Sequence, residues 1–244
     1  MLSNEDARTV VAILGNIISI VLFLSPVQTF YRVWKKKSVE QYSAMPYLAT
    51  FANCVLWLLY GLPMVHPHSM LVVSINGAGS SIEIVFLSLF FLFSDLKKRL
   101  RLVVVLVVEI VFLGGLAILV LTLAHTTKVR SSIVGSLAMA ANILMYAAPL
   151  SVMKLVITSK SVEYMPFLLS LFSFINAICW TSYALIPLDP YLLVPNVIGT
   201  LLGLAQLILY ATFYKSTKKI MADRKAQIEM GFKEKPAAET NNQN

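Results

Sequence analysis

A chain of 244 residues that is 58% hydrophobic and only 13% charged, with a mean hydropathy of +0.76, lies outside the range of soluble domains, which carry roughly 25% charged residues. Its formal charge of +8 does not mark a nucleic-acid binder, because the basic residues fall in short segments between long apolar stretches. Two cysteines, Cys54 and Cys179, sit inside apolar stretches and exclude a disulfide framework and a metal site.

A bilayer core takes roughly 20 apolar residues per helix. Seven stretches qualify: 9–30, 45–64, 70–93, 102–123, 133–153, 165–186 and 191–214. The six residues before Ala7 have no basic flank and no small-residue cleavage site, so the first stretch is read as a retained span. The third span holds Glu83 and the fourth Glu109. An intramembrane carboxylate is a functional candidate by default, but Glu83 has no acidic counterpart elsewhere and Glu109 reads as structural. Residues 215–244 are polar and charged and are expected to be disordered and cytosolic. Every Lys and Arg except Arg8, Lys128 and Arg130 lies in the 1–2, 3–4 or 5–6 connection or after residue 214. The positive-inside rule then puts the N-terminus outside and the C-terminus in the cytosol.

The chain repeats itself. Lys37-Ser38-Val39-Glu40 returns as Lys160-Ser161-Val162-Glu163, Met45-Pro46 as Met165-Pro166, and Pro26 as Pro149. Trp57 and Tyr60 return as Trp180 and Tyr183, and Asn76 and Gly79 as Asn196 and Gly199. The separation is 123 or 120 residues throughout, so gaps of three residues align the two halves. The expected fold is an all-α membrane protein of seven transmembrane helices in a 3+1+3 arrangement. A first three-helix repeat covers 9–93, a linker helix 102–123 and a second repeat 133–214. Three spans reverse the chain and the linker restores it, so the two bundles are parallel. A pseudo-two-fold axis then runs along the membrane normal, with a binding site on it near the midplane.

The repeat-related polar residues are the site candidates. Asn76 and Asn196 are amides inside spans, where an unpaired polar group is costly, so they face an interior. A facing pair of amides offers the donors and acceptors that sugar hydroxyls need. Trp57 and Trp180 supply aromatic faces for the apolar side of a sugar ring. Tyr60 and Tyr183 lie nearer the outside, and Asp189 in the 6–7 connection is the natural acceptor for such a tyrosine. These three are read as an outer gate. Pro26, Pro46, Pro149 and Pro166 fall near the inner ends of four helices, where the missing hydrogen bond lets a helix bend. They are read as hinges. No catalytic motif appears, so the chain is read as a non-enzyme without a cofactor or a nucleic-acid partner.

With these motifs in hand, the chain closely resembles the SWEET sugar transporters of plants. The resemblance is carried by Leu24-Ser25-Pro26, Tyr60-Gly61-Leu62-Pro63, Ile75-Asn76-Gly77, Tyr146-Ala147-Ala148-Pro149-Leu150, Pro195-Asn196 and both Lys-Ser-Val-Glu segments, and it covers about 9–214. It implies uncoupled, bidirectional sugar transport by alternating access, with the four prolines as its proline tetrad and Asn76 and Asn196 in its pocket. Trp57 stands where other members often carry a smaller residue, which favours hexoses such as glucose over sucrose. The resemblance also implies homo-oligomers, and the plasma membrane is the expected location. A seven-helix receptor shares the topology but gives no reason for a parallel repeat. A PQ-loop amino-acid exporter should carry Pro-Gln at the bends, where Pro26-Val27 and Pro149-Leu150 stand.

Overall fold

The computed structural model describes residues 3–234. It is all helical: α1 (Asn4–Phe23), α2 (Val27–Lys36), α3 (Met45–Gly61), α4 (Met70–Phe93), α5 (Leu96–Leu123), α6 (Thr127–Met145), α7 (Ala147–Ser159), α8 (Phe167–Leu185) and α9 (Pro190–Glu234). Two of the seven spans are broken into a pair of helices, α1 with α2 and α6 with α7. Six spans are long and apolar enough to cross a bilayer, and α3 is a shorter apolar helix of 17 residues. On α5, Val107, Val111 and Ile118 are exposed, as a helix face bathed in lipid should be.

The chain enters α1 through a capping box. The Ser3 hydroxyl accepts from the Asp6 amide, and the Asp6 carboxylate accepts from the Ser3 amide, both at 3.1 Å. The break after α1 follows from Pro26. Without an N–H it leaves the Leu22 carbonyl free, and the Ser25 amide takes that carbonyl at 3.1 Å in a tighter turn. Pro149 lies in the first turn of α7, just past a matching break at Tyr146. Pro46 and Pro166 do something different. Pro46 is in the first turn of α3 and Pro166 is the N-cap of α8. A proline at a helix start loses no bond, because that N–H is free anyway. Two of the four prolines therefore break spans, and two begin them.

Within each repeat the third span lies between the other two. α4 packs on α1 and α3, and α9 packs on α6 and α8. The repeats meet along two interfaces, α1 against α8 and α3 against α6, which exchange under the repeat. Close approach inside each bundle needs glycine. A Cβ on Gly79 would lie 2.6 Å from Phe23, and one on its counterpart Gly199 2.7 Å from the Tyr146 hydroxyl. The linker α5 packs on α3, α4 and α6.

The apolar core is divided by depth. At the Tyr60 end a single cluster draws from both repeats, including Ala12, Trp57, Tyr60, Val134, Trp180 and Tyr183. At the proline end each repeat has its own: Phe30, Val33, Phe86 and Phe90 in the first, Val156, Val162 and Met165 in the second. The halves are fused at one end and separate at the other.

The expected disorder from residue 215 onward is corrected through residue 234. α9 continues as helix to Glu234, while 235–244 lie outside the described residues. The stretch after Tyr214 is rich in Lys, Ala, Arg, Gln, Glu and Met, all good helix formers. It is also tied to the neighbouring connection. Arg224 pairs with Glu163 at 3.0 Å, and the Thr217 hydroxyl accepts from the Val162 amide at 2.8 Å. In the first repeat the equivalent Val39 amide reaches the Phe93 carbonyl, at 3.3 Å. That carbonyl is available because α4 stops there.

Candidate functional site

Two cavities share a wall between the repeats. The first, of about 180 Å³, is lined by Asn53, Asn76, Asn142, Asn176 and Asn196, with Trp57 and Trp180. The second, of about 440 Å³, shares Asn142, Asn176 and Asn196 and reaches Pro149, Pro166 and Gln206 toward the proline end. A cluster of amides among apolar walls suits a neutral polar ligand. Among the described residues no group of His, Cys, Asp and Glu could hold a metal ion.

Asn76 and Asn196 have the same local geometry. Each amide nitrogen donates to the carbonyl four residues earlier, Val72 or Leu192, at 2.8 Å. That bond orients the side chain and leaves its carbonyl oxygen and one N–H for the cavity. Trp57 and Trp180 are both buried, so neither belongs to a lipid-facing belt. Each packs edge-on against the tyrosine one turn along, Trp57 on Tyr60 at 5.5 Å and Trp180 on Tyr183 at 5.3 Å. The Trp180 indole N–H points to the Ser19 hydroxyl at 3.4 Å, and that hydroxyl donates to the Asn176 side-chain oxygen at 2.8 Å.

Sequence reading missed Asn53, Asn176, Ser19 and Asn142. The signal was present in the repeat. Asn53 and Asn176 are 123 residues apart, as are Ser19 and Asn142, so the walls come from repeat-related pairs. The Asn53 side-chain oxygen is buried with no partner in the structure. A buried acceptor in a cavity wall without a bond is where a ligand donor belongs. Glu83 is buried in α4 and is not among the residues lining these two cavities.

Above the tryptophans the molecule is closed. The Tyr60 hydroxyl lies 2.9 and 2.8 Å from the two carboxylate oxygens of Asp189, and both residues are buried. The backbone amides of Tyr191 and Leu192 also donate to Asp189, at 3.1 and 3.3 Å. His66, in the connection between α3 and α4, stacks on the Tyr60 ring at 4.7 Å and 18°. Its Nε2 is 3.5 Å from Asp189. Burial pushes the His66 imidazole below its ordinary pKa, with the nearby Asp189 charge opposing and Arg8 and His68 adding to the effect. Tyr183 does not share Asp189. Its hydroxyl accepts from Arg8 at 2.9 Å. The structure thus brings Tyr60 and Asp189 together and gives Tyr183 a partner that the sequence did not suggest.

Comparison with known proteins gives a consistent result. A family described as "Sugar efflux transporter for intercellular exchange" matches residues 9–98 and 132–218. The chain is 56% identical to bidirectional sugar transporter SWEET4 of Oryza sativa subsp. indica over 225 residues, 92% of this chain and 87% of that one. It is 58% identical to bidirectional sugar transporter SWEET7 of Arabidopsis thaliana over 221 residues, 90% of this chain and 86% of that one. Its fold matches a solved structure of a eukaryotic SWEET transporter with a TM-score of 0.84 at 36% identity, covering 87% of this chain and 99% of that one.

Proposed function

The chain belongs to the SWEET family of sugar transporters, a family of integral membrane proteins and not of enzymes, and from that premise we propose that it carries hexoses such as glucose across the plasma membrane in either direction, down their gradient, by alternating access. The carrying observation is the matched pair Asn76 and Asn196, each bonded to its own helix and each offering free amide groups to one cavity. A pyranose has hydroxyls around its rim and apolar faces. The asparagines suit the rim, and Trp57 and Trp180 suit the faces. The cavity between the indoles is only about 180 Å³, which favours one sugar ring over a disaccharide of twice that size.

The basic 1–2, 3–4 and 5–6 connections lie at the proline end, which supports reading that end as cytosolic. The Tyr60 end is then outside, and Tyr60, Tyr183 and Asp189 form an outer gate that is shut here. The 440 Å³ cavity is the inner vestibule. Outward opening separates α3 from the connection that carries Asp189. Inward closure swings α2 and α7 about the breaks at Pro26 and Pro149, while Pro46 and Pro166 set where α3 and α8 begin. No ion is coupled, so sugar equilibrates and is not concentrated.

Uptake of labelled glucose and labelled sucrose in a cell without its own sugar carriers tests this reading. Wild type should bring glucose to equal concentration on both sides and carry sucrose poorly. Asn76→Ala and Asn196→Ala, at equal surface level, should each lower glucose flux about tenfold, since each empties one end of the ligand's hydrogen bonding. Preferred sucrose transport would overturn the role given to Trp57. Accumulation against a gradient would overturn the uncoupled mechanism.

A further inference from the structure

Three basic residues, Arg8, Lys128 and Arg130, lie on the side assigned as outside, against the usual bias. Arg130 has a structural role. It donates to the carbonyls of Ala124, Leu121 and Met64, capping α5 and holding the connection after α3. Arg8 has no carboxylate partner among the described residues. Its Nη2 instead donates to the Tyr183 hydroxyl at 2.9 Å, and its guanidinium carbon sits 4.3 Å from the centre of the same ring.

The repeat explains why a cation is needed there. The Tyr60 hydroxyl donates a hydrogen bond to Asp189, the residue just before α9. At the same place before α4 the first repeat has Ser69. Tyr183 therefore lacks the carboxylate that its twin uses, yet it is buried with 2% of its surface exposed. A buried phenol needs a partner. Arginine supplies one by donating to the oxygen and lying against the ring, two contacts that its planar fork allows together. The contact joins α1 to α8, so it crosses between repeats, as Tyr60–Asp189 does. One tie lies on each side of the axis.

We propose that Arg8 is a positioning residue of the outer gate, forming with Tyr183 a second latch that must break before the outer side opens. This rests on the assignment of the Tyr60 end as the outer gate. A bond made only in the closed state biases the equilibrium toward that state, and its removal shifts the population the other way.

The test reads outer opening directly. Val72 lines the cavity beneath the gate and is buried. Val72→Cys, with Cys54 and Cys179 replaced by alanine, is exposed to a membrane-impermeant thiol reagent added outside. Arg8→Met and Tyr183→Phe should each raise the labelling rate roughly tenfold, the loss expected for a hydrogen bond to a charged group. The double variant should label no faster than either single one, because both remove the same tie. Tyr60→Phe should add to Arg8→Met, and Arg8→Lys should fall between wild type and Arg8→Met. Labelling at the wild-type rate in Arg8→Met, or effects of Arg8→Met and Tyr183→Phe that multiply, would overturn the proposal. If Arg8→Met does not reach the membrane, Tyr183→Phe and Arg8→Lys decide alone, since each removes few atoms. Glucose flux is measured in the same cells. Faster labelling without any glucose flux would leave the latch standing and remove the transport reading.

Discussion

At the scale of residues, the cavity is a set of amides held in different ways. Asn76 and Asn196 were legible in the sequence because they recur inside a longer matching motif. Asn53 and Asn176 recur at the same spacing with different neighbours, and an isolated amide in a membrane helix serves equally well as helix-to-helix glue. Their spacing alone separated the two roles. Arg8 was illegible, because its partner is 175 residues away and no local pattern announces the contact. The cavity amides now lead to a distinction. Asn176 already accepts from Ser19, and Ser19 holds the Trp180 indole, so Asn176 positions a wall. Asn53 has an unpartnered oxygen and nothing of the kind to hold. Asn53→Ala should therefore raise the half-saturating glucose concentration about two- to tenfold, one neutral hydrogen bond's worth, with the maximal rate near that of wild type. Asn176→Ala should lower the maximal rate as well, because Trp180 loses its anchor. Zero-trans uptake over a range of glucose concentrations separates the two, and matching profiles would remove the division of labour.

At the scale of elements, the spans were legible from hydropathy but their interruptions were not. Four prolines at similar depth read as four kinks. Two lie at helix starts, where proline costs nothing, because the preceding segments 37–44 and 160–166 reverse the chain before the helix begins. Helix ends depend on such reversals and on side-chain caps, which leave little trace in apolar content. The connection after α3 is a further case, since it carries His66 back over Tyr60, in the proposed gate. The stacked, half-buried imidazole is held below its ordinary value of 6.5 mainly by burial. When the gate opens, the ring meets water and that cause is removed. The pKa is thus lower in the closed state than in the open one, so protonation favours opening, and the closed gate loses stability as the outer pH falls through 6.5. Outer labelling of Val72→Cys, divided at each pH by the reagent's rate with a free cysteine because only the thiolate reacts, should rise between about pH 7.5 and 5. His66→Phe keeps a ring on Tyr60 but cannot titrate, so its labelling should stay flat. The effect is on gating, and glucose should still reach equal concentration on both sides at every pH. A wild-type profile as flat as that of His66→Phe would show that burial of this imidazole does not change with gating.

At the scale of the whole molecule, the arrangement of cores suits the proposed alternation between two openings. A single cluster at the Tyr60 end binds the repeats together, while the proline ends hold separate clusters that can move apart without exposing their own interiors. The 3+1+3 plan could be read from the repeat, yet the order of spans within each bundle could not. Placing the third span between the first two is a matter of packing, settled by contacts such as Phe23 on Gly79 that are far apart in sequence. The same packing shows what each half can do alone. Asn53 and Asn76 come from one repeat and Asn176 and Asn196 from the other, so neither half encloses the cavity. α5 packs mainly on the first repeat, and the 124–126 connection joins α5 to α6. A chain cut there gives 1–125 and 126–244, each of which keeps the direction of its spans. The interfaces α1–α8 and α3–α6, with the smaller α5–α6 contact and the bonds of Arg130 to Leu121, Ala124 and Met64, then bring the pieces together, aided by confinement in one membrane. Co-expressed, the two should restore glucose uptake at a reduced level, since the covalent link had supplied a high effective concentration. Either piece alone should carry none. Glucose uptake by one piece would mean that a cavity can be closed without the second repeat, and the shared site between the repeats would have to be abandoned.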